Sequence, residues 1–260
     1  MRCNYHTHTS RCRHATGTDE EYVIRAIENG LSVLGFSCHA PMLYPAEYES
    51  YYRMKPSEFS EYVDSLLSLR EKYKDKIDIK IGLETEYYPE LHEKSFALWR
   101  SFPIDYLILG QHYVDKEYGD ERDPSPTPCN EKGRVSAYVD RVIAGMELGI
   151  FTIFAHPDLI NYTGDDKEFY DFEMRRLIAA AGRCGVYLEY NLLGQSDGRA
   201  YPVPRFWQIA AEMGARVVLG CDAHSPDRVA KSDEIDKALE FLSSLGITPS
   251  DEIALVSIHK

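Results

Sequence analysis

Short apolar runs recur along this chain, and longer amphipathic stretches separate them. The apolar runs have the length of buried strands, whereas the amphipathic stretches repeat their apolar residues at helical spacing. The predicted strands lie in CNY near the start and then in LGFS, IDIKIGLE, DYLILG, FTIFA, GVYLEY and ARVVLG. The predicted helices lie in DEEYVIRAIENG, KPSEFSEYVDSLLSLREKYK, GRVSAYVDRVIAGMELG, EFYDFEMRRLIAAAGRCG and RFWQIAAEMG.

The alternation of these elements predicts an α/β fold. Several of the predicted helices close with Gly, as helices do. Strands that alternate with helices form parallel β-α units, which build either an open doubly wound sheet or a barrel. The pattern of apolar residues leaves both architectures open.

The chain shows no internal repeat and no linker, and its 260 residues are typical of a single α/β barrel. We therefore expect one domain over residues 1–260. The polar, proline-containing segment Asp115–Gly133 predicts one long excursion within that domain. Ordered loops of this length are often functional, and a lid, a partner surface and an inert insertion all remain open for it.

The chain is acidic, with 42 Asp and Glu residues against 29 Lys and Arg residues. This balance argues against long nucleic acids and anionic membranes as partners, because both favour Lys and Arg. No apolar run approaches the ~20 residues of a membrane span, and no signal peptide is visible. The six cysteines are scattered without a CxxC pair, so we expect a cytoplasmic protein with reduced thiols.

Potential metal ligands follow the ends of nearly all the predicted strands. In an open sheet those ends would lie along a line, whereas a closed barrel gathers them around one mouth, where barrel enzymes keep their active sites. The distribution of these residues therefore favours the barrel. They are His6, His8, His39, Glu84, His112, His156, Asp222 and His224.

The spacing of these residues supports the prediction of a metal site. A single histidine after a strand more often caps or faces solvent than binds a metal. A spacing of two, as in His6 and His8, places both rings on one side of an extended chain, and Asp222 with His224 repeats it. Two histidines outside the pattern are expected at the surface, His92 and His259.

Seven motifs in order resemble those of the PHP (polymerase and histidinol phosphatase) superfamily, and most closely its histidinol-phosphatase branch. They are HTHTSRCRHATG, GFSCHAP, GLETE, GQHYV, AHPDL, YLEYNLLGQSDGRAYP and GCDAHSP. The resemblance runs from Arg2 to about Val229. It implies a distorted (β/α)7 barrel, similar to a TIM barrel, that holds three divalent metal ions.

The resemblance also implies which side chains hold each ion. The first ion would be bound by His6, His8, Glu84 and Asp222. Glu84 would bridge to a second ion completed by His112 and His156, and a third would be bound by His14, His39 and His224. Neutral imidazoles with few carboxylates suit zinc, iron or manganese, whereas calcium and magnesium favour oxygen ligands.

Such a site predicts a metal-dependent phosphomonoesterase, in which a metal-bridging hydroxide attacks a phosphate ester in line. Glu84 and Asp222 are the candidate catalytic carboxylates, although Asp222 could serve only as a ligand. Divalent ions bring more positive charge than these carboxylates remove, so an acidic protein can still bind phosphate there. The resemblance makes Arg199 a candidate contact to the substrate phosphate and Asn191 a residue that shapes the pocket. A solvated role for Arg199 remains open.

Three functions follow from these expectations. The first is hydrolysis of L-histidinol phosphate to L-histidinol and phosphate, a step of histidine biosynthesis. The second is the same chemistry on another small phosphorylated metabolite or a nucleotide, and the third is a metal-binding module without turnover. Three departures from the family motifs affect only the substrate: no basic residue shortly follows HPDL, Cys38 stands where an acidic residue is common, and the loop after His112 is longer and more acidic than expected.

Overall fold

Seven short parallel strands form one sheet whose spatial order follows the chain. The computed structural model describes residues 1–45, 48–119 and 122–259. The strands are β1 (Cys3–Asn4), β2 (Val33–Phe36), β3 (Asp78–Thr85), β4 (Tyr106–Leu109), β5 (Phe151–Phe154), β6 (Tyr187–Asn191) and β7 (Val217–Gly220). Each strand overlaps one of the predicted apolar runs, which confirms the predicted strands.

The sheet closes where its first and last strands meet. Thr7, just after β1, forms a parallel bridge with Ala223, just after β7. The backbone N–H of His8 donates to the carbonyl of Ala223 at 3.0 Å, and the N–H of Cys221 donates to the side-chain oxygen of Asn4 at 3.0 Å. We call this contact between residues 4–8 and 221–223 the seam. It makes the sheet a nearly closed, distorted (β/α)7 barrel, which confirms the barrel over the open sheet.

Helices follow the strands and pack around the barrel. They are α1 (Asp19–Glu28), α2 (Phe59–Tyr73), α3 (Pro89–Arg100), α4 (Lys132–Glu147), α5 (Lys167–Cys184), α6 (Leu192–Asp197), α7 (Pro204–Glu212) and α8 (Ser232–Ser244). Within the described ranges, no helix combines the length and the apolar character needed to cross a bilayer.

Local capping explains where the predicted helices begin and end. Thr18 and Glu21 form a capping box at the start of α1, which satisfies two backbone donors that the helix leaves free. The helix α5 ends at Gly185, whose left-handed conformation stops it. The five helices predicted from amphipathic stretches are confirmed, whereas α3, α6 and α8 are not among them. The six residues of α6 are too few to show a helical repeat of apolar residues.

Two apolar cores lie on either side of the strands. The larger core lies between strands and helices and buries Leu66 of α2 and Trp207 of α7 completely. The smaller core fills the barrel and includes the fully buried Tyr106. Its hydroxyl donates to the carbonyl of Tyr5 at 2.5 Å and lies 3.3 Å from that of Phe36. A filled interior leaves the carboxyl ends of the strands as the place for polar chemistry.

The hydrogen bond of Tyr106 predicts a measurable contribution to stability. We expect Tyr106→Phe to lower the free energy of unfolding by about 1–2 kcal/mol, because it removes a buried hydrogen bond. Urea unfolding measures the difference. Tyr138→Phe is the matched control, since its buried hydroxyl has no hydrogen-bond partner among the described residues, and its removal should be neutral or stabilising. Equal losses in both variants would contradict this role of Tyr106.

Candidate metal centre

The carboxyl ends of the strands bring all nine predicted ligands to the barrel mouth. Glu84 lies near the end of β3, and the other eight lie in the loops that follow β1, β2, β4, β5 and β7. His156 and Asp222 both have positive φ angles, of 33° and 48°. Such backbone conformations are unfavourable for residues other than Gly, and they persist mainly where the surrounding structure enforces them, often at functional sites.

Glu84 occupies the centre of the cluster and is almost fully buried. Burial opposes its ionisation, but the surrounding imidazoles hold the pKa of its carboxyl well below the usual range. Gly110 makes room for it, because a side chain at that position would overlap the carboxylate. The nitrogens within 3.6 Å of its two oxygens belong to His6, His8, His39, His112 and His156.

One group of donors lies beside the seam. The Nε2 atoms of His6 and His8 are 3.2 Å apart, and Asp222 Oδ1 lies 3.5 Å from the first and 3.1 Å from the second. Burial opposes protonation of His6, but Glu189, Asp222 and Glu84 raise its pKa well above the ordinary value. The structure thus places three of the four residues predicted for the first ion within direct contact, and Glu84 lies against them.

A second group lies at the outer side of the mouth. The Nε2 atoms of His14 and His224 are 2.9 Å apart. His39 contributes a ring whose centroid is 5.5 Å from that of His14. A nitrogen of His8 also lies within 4.8 Å of those of His39 and His224. The structure therefore brings together the three residues predicted for the third ion, with His8 between them and the first group.

Hydrogen bonds to the outer nitrogens fix several of these rings. His6 Nδ1 lies 2.7 Å from Glu189 Oε1, and His112 Nδ1 lies 2.6 Å from Glu86 Oε1. Backbone carbonyls hold the rings of His14 and His224 in the same way, at 2.7 and 2.8 Å. Partners of this kind set the tautomer, so that Nε2 keeps its lone pair for a metal.

Glu189 and Glu86 contact the predicted ligands and were missed by the sequence analysis. Each is a buried acidic residue, Glu189 within β6 and Glu86 just after β3. Glu189 also accepts the N–H of His156 at 3.1 Å, and Gly220 leaves the space that its carboxylate fills. A carboxylate inside an otherwise apolar strand run, as in YLEYN, is the signal that could have found it.

The residues present fit divalent transition metals. The neutral rings of His14 and His224 face each other through Nε2 atoms 2.9 Å apart, which can share only one proton, and a cation between them would satisfy both lone pairs. His39 Nδ1 is buried 3.1 Å from Glu84 Oε2 without a hydrogen-bond partner in the described parts of the chain. Imidazoles with few carboxylates suit zinc, iron or manganese better than calcium or magnesium.

Two buried cysteines lie close to this cluster. The sulfurs of Cys12 and Cys38 and a nitrogen of His8 lie within 4.8 Å of one another. All six cysteines are free thiols. Cys12 and Cys38 therefore belong to the core and also border the ring of a predicted ligand.

A cavity of about 820 Å³ opens directly onto the cluster. Arg199 lines it, with its side chain 46% exposed, and donates a hydrogen bond to the hydroxyl of Tyr201 at 3.0 Å. Arg13 and Arg228 line the same cavity and were missed by the sequence analysis, because isolated arginines in loops carry no pattern. The cavity thus combines an imidazole floor with three guanidinium groups.

Asn191 is not among the residues that line the cavity, but it contacts two carboxylates of the cluster. It is almost fully buried and lies behind the cavity wall. Its amide donates to Glu189 Oε2 at 3.0 Å and to Asp222 Oδ2 at 3.1 Å. Its side-chain oxygen caps α6 by accepting the N–H of Gly194. Asn191 therefore fixes two carboxylates of the cluster and does not face the cavity.

The sequence model of the PHP domain matches residues 4–192. A probable histidinol-phosphatase from Deinococcus radiodurans is 32% identical over 232 residues, which cover 87% of this chain and 88% of that protein. A probable histidinol-phosphatase from Schizosaccharomyces pombe is 26% identical over 276 residues, which cover 95% and 88%. The chain belongs to the PHP family, and within it to the histidinol-phosphatase branch.

Solved structures confirm the fold. The crystal structure of histidinol phosphate phosphatase from Lactococcus lactis, complexed with zinc, L-histidinol and phosphate, has a TM-score of 0.75 at 20% identity and covers 100% of this chain and 98% of its own. A histidinol phosphatase structure from Listeria monocytogenes has a TM-score of 0.72 at 19% identity, with coverages of 90% and 99%.

The outer hydrogen bonds of Glu189 predict an effect on metal retention. We expect Glu189→Gln to weaken zinc binding by about 10- to 100-fold, because His6 loses the carboxylate that orients its ring. Competition with a chromogenic chelator measures this affinity. Glu173→Gln is the matched control, since Glu173 is also buried but bonds to Ser136 and Arg176 outside the cluster. An unchanged affinity in Glu189→Gln would contradict the role given to this residue.

Proposed function

We propose that this chain is a metal-dependent phosphoric monoester hydrolase that converts L-histidinol phosphate to L-histidinol and phosphate. The observation that carries the proposal is the cluster of imidazoles and carboxylates at the mouth of a PHP barrel, open to a cavity with three guanidinium groups. The relatives named probable histidinol-phosphatases support the choice of substrate.

The proposal assigns three divalent ions to the nine donors. The first ion belongs to His6, His8, Glu84 and Asp222, the second to Glu84, His112 and His156, and the third to His14, His39 and His224. When bound, such ions lower the pKa of water to near neutrality and neutralise phosphoryl charge, which is the chemistry that ester hydrolysis needs. Zinc, iron and manganese all suit this donor set.

The residues of the chain itself orient and hold the reacting groups. Asn191 fixes one oxygen of Asp222 at 3.1 Å, which leaves Oδ1 directed toward His8 at 3.1 Å. A carboxylate held in this way orients the attacking water and accepts its proton. Arg199, at the cavity wall, binds the substrate phosphate, because a planar guanidinium pairs with two phosphate oxygens at once.

Another small phosphorylated metabolite is the second candidate substrate. The cavity volume of about 820 Å³ lies in the upper part of the range of small-molecule sites, so a mononucleotide also has room there. A metal-binding module without turnover is the least favoured alternative. Nine donors beside an open cavity are more than such a module needs.

A kinetic comparison tests the proposed function. Metal-replete protein should prefer L-histidinol phosphate over p-nitrophenyl phosphate and a panel of nucleotides by about 10³ in kcat/KM, or about 4 kcal/mol. Chelator treatment should abolish the activity, and zinc or manganese should restore it. Equal, low rates across the panel would contradict the assignment of L-histidinol phosphate as the substrate. Full activity in protein shown to be metal-free would overturn the whole proposal.

The role of Arg199 gives a second test. We expect Arg199→Ala to lower kcat/KM by about 10- to 100-fold, because a charged hydrogen bond to the substrate is lost. Steady-state kinetics at fixed metal content measure the change. Arg205→Ala is the control, since Arg205 pairs with Asp171 at the surface of α7 and lies outside this cavity. A kcat/KM equal to that of the control would place Arg199 outside phosphate recognition.

A further inference from the structure

The excursion between β4 and α4 places one of its acidic side chains in the protein interior. Glu117, in the polar segment predicted over Asp115–Gly133, is completely buried. Several charged residues in the described part of the segment face solvent, as Asp115 does with a side chain that is 69% exposed. A carboxylate is buried in this way only where strong partners compensate the loss of water.

The partners of Glu117 lead directly to a predicted metal ligand. Arg53 Nε donates to Glu117 Oε2 at 2.7 Å, and the hydroxyl of Tyr52 donates to the same oxygen at 2.5 Å. Another nitrogen of Arg53 pairs with Glu86 Oε2. The other oxygen of Glu86, Oε1, holds His112 Nδ1 at 2.6 Å. The path from the excursion to the ring of His112 is therefore continuous.

The planar guanidinium of Arg53 couples the positions of its two carboxylate partners. Arg53 is 1% exposed and presents a rigid planar fork, so one carboxylate on its Nε edge fixes the direction in which its other nitrogens point. The third nitrogen of Arg53, Nη1, has no hydrogen-bond partner among the described residues. Without Glu117, Arg53 would keep only one carboxylate partner, and Glu86 would lose a fixed position.

The backbone of the same segment also holds the ligand loop. The N–H of Ser125 donates to the carbonyl of His112 at 2.8 Å, and its hydroxyl donates to the carbonyl of Gln111 at 2.8 Å. Two neighbouring residues, Pro124 and Pro126, line the cavity. The excursion is thus attached to the loop of His112 through both its backbone and a buried side chain.

We propose that Glu117 is a positioning residue that, through Arg53 and Glu86, fixes the ring of His112 for metal binding. This inference rests on the proposed function, because it assumes that His112 binds an ion. It gives the excursion a defined structural role, since the segment holds the metal site in shape and forms part of its wall. This role differs from a lid and from an inert insertion, two of the roles that the sequence left open.

Zinc binding to the full chain tests the inference without reference to turnover. We expect Glu117→Gln to weaken the binding of one zinc ion by about 10-fold or more in chelator competition. Asp115→Asn should leave the affinity unchanged, because Asp115 pairs with Arg141 at the exposed surface of the same segment. For turnover, kcat should fall in Glu117→Gln while KM changes little.

A double-variant comparison separates positioning from general destabilisation. His112→Asn alone should lose the same ion, and adding Glu117→Gln to it should cause no further loss. A full additional loss in the double variant would overturn the inference, since Glu117 would then act independently of His112. If His112→Asn loses an ion and Glu117→Gln keeps it, the inference is also overturned. If His112→Asn retains every ion, the proposed metal assignment fails instead.

Discussion

The burial of Glu84 among imidazoles is the constraint on which the rest of this structure depends. A carboxylate without water must be surrounded by groups that favour its charge, and five rings within 3.6 Å of its oxygens do so. Those rings come from segments that follow β1, β2, β4 and β5, so the sheet must curve around the end of β3 to bring them together. Gly110 gives the carboxylate its space, and the positive φ of His156 is maintained inside this packed cluster.

Glu84 and its five imidazoles form an inner layer, and an outer layer of charged and polar groups surrounds them and keeps them in place. Glu189 and Glu86 hold the outer nitrogens of His6 and His112, and Asn191 and Arg53 in turn hold those carboxylates. The outer layer pairs the outer nitrogens of His6 and His112, which the inner layer leaves free. The protein is therefore acidic overall, yet the donors at its barrel mouth are arranged to bind cations. Bound cations would in turn attract phosphate.

The strands and the convergence of eight of the nine donors could be predicted from periodic and positional signals, and His14 was added by the resemblance to the family motifs. Apolar runs of strand length marked the sheet, and a ligand at the end of nearly every run pointed to a barrel mouth. The other carboxylates are harder to predict: Glu189 stands out within its strand, whereas Glu86 and Glu117 give no such signal. Glu117 lies in a polar segment of ordinary composition, and only the folded chain shows that Arg53, 64 residues earlier, removes it from solvent. The burial of Asn191 likewise depends on packing that spacing does not encode.

The seam has a consequence for folding. His14 and His224 are 210 residues apart in sequence, and the short strand β1 meets the end of β7 through only a few backbone contacts. An ion bound as proposed by His14 and His224 would be a cross-link that closes a very long loop, and such closures restrict the unfolded chain strongly. Metal occupancy and closure of the barrel would then be one linked equilibrium. During synthesis, the first ligands emerge long before their partners, so the complete centre assembles only after the last strand is in place.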